Sequence, residues 1–131
     1  MAMVEMVIIL PVLLMLLFAI AEFGLMLTKW QTLTNAAREG ARDAVVFRVN
    51  CNSAAVQNEV RTTVKNYAAA GGVTLADGDI TVAGDCGAVN TDTSVDVTHT
   101  YTYTVLPGFA ASLNPSVDLS ASATMRNEGN G

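Results

Sequence analysis

Residues 6–27 read MVIILPVLLMLLFAIAEFGLML, an unbroken apolar run that contains one acid, Glu22, and no base. As an α-helix rising ~1.5 Å per residue, such a run is about 33 Å long, enough to cross a hydrocarbon core of about 30 Å. From Val7 to Ala21 the apolar side chains surround the axis without a polar stripe, the pattern of a segment covered on all sides by lipid or by other helices. A cleavable secretory signal would begin with basic residues and carry a shorter apolar core. No base precedes Lys29, so the segment reads as retained. Residues 1–28 are therefore expected to form a transmembrane or filament-core helix.

The chain has 131 residues, 51% hydrophobic and 15% charged, which excludes a disordered tail and a large multidomain enzyme. Its net charge of −5, with no basic stripe and no interleaved aromatics, argues against a nucleic-acid partner. All the visible positive charge follows the span, which by the positive-inside tendency would leave the rest of the chain in the cytoplasm. A short basic leader ahead of Met1, removed after setting the orientation, reconciles that charge with an external domain.

Three residues do not suit a plain anchor. Pro11 lacks an amide donor and crowds the preceding turn, so it is expected to kink or locally unwind the helix. Glu5 is a carboxylate at the start of an apolar helix. Packed inside a bundle it needs a cation, and the α-amino group of Met1, on the same or an adjacent copy, is the nearest candidate. Glu22 lies too far along the axis from Lys29 for a direct bond, so it calls for a partner from another subunit or for neutralisation.

Beyond Lys29, Leu33, Ala36, Ala37, Gly40, Ala41, Ala44 and Val45 recur at three- and four-residue spacing, which continues the helix to about residue 49. A second helix is expected over about 53–69, with Val56, Val60, Val64 and Tyr67 on one face, Asn52 or Ser53 as cap and Gly71-Gly72 as stop. From about 73 to 126 the period becomes two. Val95, Val97, His99, Tyr101, Tyr103 and Val105 alternate with polar residues, as do Val117, Leu119, Ala121, Ala123 and Met125, while Ile80 and Val82 mark a shorter strand. The expected fold is α+β: a long N-terminal helix, a second helix and a small antiparallel sheet, with residues 29–131 as an extracellular head.

Cys51 and Cys86 enclose a long loop without CxxC spacing. Outside the cytoplasm a disulfide is the leading reading, since two thiols without neighbouring His make an incomplete zinc site. Asp77, Asp79, Asp85 and Asp92 carry oxygen ligands, but their spacing does not match an EF-hand loop, and a solvated acidic loop describes them better. His99, the one histidine, reads as a packing residue. No nucleophile motif or phosphate loop accompanies it, so neither enzyme activity nor a cofactor is expected, and no metal.

Val4-Glu5, Leu10-Pro11, Glu22-Phe23-Gly24, the stretch NAAREGAR over 35–42 and the closing SATMR over 122–126 resemble the TadE-like branch of the type IV pilin superfamily. The resemblance implies a processed form whose N-terminus is Met1, cut by a prepilin peptidase. It implies a subunit that waits in the inner membrane and is polymerised by an assembly platform into an extracellular, Tad-type filament for surface attachment. Met1, Glu5, Pro11 and Glu22 would then be assembly residues. TadE-like proteins are often minor, so a minor pilin or assembly component retained mainly in the inner membrane is the alternative.

Overall fold

The computed structural model describes residues 2–46, 53–84, 91–104 and 116–127. They form an α+β fold. Helix α1 (Ala2–Val45) and helix α2 (Ala54–Ala70) precede strands β1 (Ile80–Ala83), β2 (Asp92–Thr102) and β3 (Ser116–Arg126), which form a three-stranded antiparallel sheet in the order β1-β2-β3. By internal packing the chain divides into two units, Met1–Thr28 with Thr100–Val117, and Lys29–His99 with Asp118–Gly131.

In the second unit, α1 presents small side chains to the core. Leu33, Ala36, Ala37 and Ala41 are fully buried and Ala44 nearly so. Gly40 lies among them because α2 and β2 approach too closely for a side chain. A β-carbon built there falls inside the contact distance of Val64 Cγ2 and 3.4 Å from Val95 Cγ1. Large side chains on the opposing elements fill the space that the small ones leave, giving the close packing of a protein interior.

Helix α2 begins at Ser53, whose backbone is extended and whose side-chain oxygen accepts the Val56 N–H. Its buried face is Val60, Val64 and Ala68, with Val56 half-buried. Tyr67, expected on that face, is exposed, because the four-residue step from Val64 reaches Ala68 and places Tyr67 to one side of it. The helix ends where Gly72 takes a φ of 76°, and Val73 N–H returns to Ala68 O at 2.9 Å.

Residues 73–79, expected to open the sheet, are not strand. Val73 and Leu75 are buried, and a 3₁₀ turn over Asp77–Asp79 follows, with Asp79 Oδ2 accepting the Ala76 N–H at 2.8 Å. Strand β1 then pairs antiparallel with β2, Ile80 opposite Val97 and Val82 opposite Val95. Val95 and Val97 are fully buried, and Leu119, Ala121 and Ala123 turn inward from β3. Tertiary bonds hold β3 and Asn127, the residue after it. Trp30 Nε1–H donates to Ser120 O at 3.1 Å, and Thr93 Oγ1–H donates to Asn127 Oδ1 at 2.8 Å.

Helix α1 is described to Val45, followed by a bend at Val46, so the expected run to residue 49 passes into residues outside those described. Through Pro11 the helical assignment is unbroken, rather than unwound. The loss of one i→i−4 bond is tolerated where the turns on either side remain bonded.

Candidate functional site

The site is the N-terminal part of α1, and its chemistry is that of an uncovered apolar rod. From Met3 to Ala21 every residue is exposed, and even the least accessible large side chains, Leu14 and Phe18, retain 37%. Among the described residues, α1 is the helix long and apolar enough to cross a membrane. Burying one large apolar side chain is worth about 1.5–3 kcal/mol, so a rod of them in water is untenable without cover. Glu5 lies in the first turn of this rod, exposed among apolar neighbours, and Pro11 follows on the next turns.

Glu22 interrupts this exposure: it is 1% exposed, while Phe23, Leu25 and Leu27 beyond it are exposed again. Glu22 Oε1 accepts two hydrogen bonds from residues of the same unit. Tyr101 O–H donates at 2.7 Å and the Thr104 backbone N–H at 2.9 Å. One turn further along α1, Tyr103 O–H donates to Met26 Sδ at 3.7 Å, and the rings of Tyr101 and Tyr103 meet edge to face with centroids 5.4 Å apart. Two donors on one oxygen meet the requirement that a buried polar group be hydrogen-bonded. Burial, with the bond to Glu22 acting in the same direction, pushes the Tyr101 phenol up to about 12.

Glu22 thus finds partners within its own chain that its position in the sequence does not suggest, in residues 79 and 82 positions away. Tyr101 and Tyr103, whose alternation marks them only as packing residues, are the donors that sequence reasoning misses. The signal for them is the repeat over 101–104, YTYT, whose period of two puts both phenols on the same side; β2 ends at Thr102, so Tyr103 lies just beyond the strand rather than in it.

The remaining candidate residues are dispersed. His99 is half-buried on β2. Asp77 pairs with Lys65, which holds its carboxyl below the usual range, Asp79 caps its own turn, and Asp92 is exposed at the start of β2. Met1, Cys51, Cys86 and Asp85 lie outside the described residues, so the disulfide and the Met1–Glu5 pair do too.

Against known families, the model described as TadE-like protein matches residues 1–42. The matched stretch contains the whole apolar rod, Glu5, Pro11 and Glu22, and ends on the helix that packs under the sheet. Over those residues the chain is similar to a family related to the Tad pilus. No curated protein and no solved structure matches the chain.

Proposed function

We propose that this chain is a structural pilin subunit that polymerises through the N-terminal part of α1 into an extracellular, Tad-type filament serving surface attachment. The supporting observation is the rod itself, apolar and exposed on all sides from Met3 to Ala21. Lipid covers it before assembly, and identical rods cover it afterwards. Because lipid tails and neighbouring helices are comparably apolar, exchanging one for the other costs little, and packing and polar contacts decide the outcome. A head-to-tail contact that does not close generates an open helical polymer.

Glu5 sets the stagger in this scheme. Processing at Met1 by a prepilin peptidase frees an ammonium group, and the assembly platform delivers subunits whose Glu5 carboxylate pairs with it. A slipped subunit leaves a buried charge unpaired, which costs about 3–5 kcal/mol. Glu5→Val is therefore expected to leave the protein in the inner membrane and absent from sheared surface material, measured by immunoblot of both fractions. Wild-type filament yield from this variant would refute the role.

A second reading, a minor pilin or assembly component retained in the inner membrane, is favoured by one observation. Glu22 is satisfied by its own chain, so a lone subunit carries no unmet need there for a neighbour. Abundance in sheared filaments relative to the membrane fraction separates the two readings.

A further inference from the structure

Outside the rod and the close-packed core, the most distinctive arrangement is the point where residues 100–104 are fastened to the flank of α1. We propose that Glu22, Tyr101 and the Thr104 amide form a depth stop that fixes how far the chain enters a lipid bilayer, with the headgroup boundary as its partner. The proposal rests on the membrane reading of α1 given above.

The lengths agree. Residues 3–21, the stretch in which every side chain is exposed, span about 28 Å as a helix, close to the hydrocarbon thickness of about 30 Å. The composition of α1 would allow deeper entry, because Phe23, Leu25 and Leu27 are also apolar and exposed. What prevents it is attached to Glu22. Strand residues 100–102 and the segment to Thr104 carry the exposed polar side chains Thr100, Thr102 and Thr104, together with backbone that is not helical. Lipid-exposed irregular backbone is not tolerated in a hydrocarbon core. Wherever this segment is bonded to the helix, the bilayer has to end.

The chain contains one tryptophan, Trp30, nine residues beyond Ala21 and about 13 Å further along the helix axis, so it reports its own depth. The full chain is reconstituted in vesicles of phosphatidylethanolamine and phosphatidylglycerol doped with phosphatidylcholine brominated at a shallow or a deep acyl position. Trp30 quenching is then compared after flotation. The wild type is expected to show little deep quenching. Glu22→Val, which removes the acceptor, is expected to move Trp30 inward by about one helical turn, roughly 5 Å, and to raise the deep-to-shallow quenching ratio. Glu22→Gln keeps an acceptor oxygen and stays near wild type. Tyr101→Phe leaves the helix sequence untouched and shifts the ratio in the same direction by less. Equal shifts in both Glu22 variants with none in Tyr101→Phe would assign the depth to charge alone and overturn the proposal, as would no shift in any variant. Failure of the wild type to float with vesicles would overturn the membrane reading with it.

Discussion

Replacing Gly40 by Ala sets two effects of known sign against each other. Ala is the better helix former by about 1 kcal/mol, so an exposed glycine in α1 would gain stability from the exchange. At Gly40 the new methyl falls on Val64 Cγ2, and both Val64 and the adjacent Val95 are fully buried. Val64 is β-branched and helical, with one strongly preferred rotamer, so it cannot swing aside. Forcing a methyl into such a core costs about 1–3 kcal/mol, and the net expectation is destabilisation by about 1 kcal/mol. Val64→Ala alone removes buried methyl groups and costs about 2 kcal/mol. In the double variant the methyl introduced by Gly40→Ala occupies the space that Val64→Ala vacates, so the pair is expected to be more stable than the sum of the singles by roughly 1–2 kcal/mol. Urea unfolding of the full chain in detergent micelles, with amide hydrogen exchange in α2 as the local probe, measures the cycle. A stabilising Gly40→Ala, or additivity within about 0.5 kcal/mol, would refute the close approach of α1 and α2.

The Tyr101 phenol gives a spectroscopic test. Its value near 12, against an ordinary 10, means the fold favours the protonated form. That contribution is complete below about pH 10 and is lost as pH rises through the folded value. Phenolate absorbance is expected to show a late component near pH 12 that Tyr101→Phe removes; an unchanged curve in that variant would contradict the Glu22 contact. Asn127 is buried, accepts from Thr93, and donates to Thr91 Oγ1 through its side chain at 2.7 Å and to Thr91 O through its backbone at 2.8 Å. Asn127→Leu should cost about 1–3 kcal/mol in urea unfolding, because the Thr93 hydroxyl loses its acceptor. A neutral result would place Asn127 in solvent.

Where one element determines its own environment, the sequence is readable. The apolar run over 6–27 demands cover on every side, and the strip from Leu33 to Ala44 announces a helix that packs closely on large neighbours. The alternation around Val95 and Val97 likewise assigns β2 its inner face. Legibility fails where the environment comes from distant chain. Glu22 looks unpartnered in sequence because Tyr101 and Thr104 reach it only through the tertiary fold. Val117 shares the parity of Leu119 yet is exposed, since periodicity gives a face and not the extent of its cover. Residues 73–79 bury Val73 and Leu75 without joining the ladder, which period-two patterning cannot distinguish from a strand.

Whether the N-terminal rod exchanges lipid for copies of itself is decided by electron cryomicroscopy of filaments sheared from the cell surface. The expected density is a helical polymer of this chain, with residues 3–21 of every subunit packed around the axis and Glu5 facing an amino terminus. Filaments that lack this chain, or that contain it with those residues turned out into solvent, would be incompatible with that exchange.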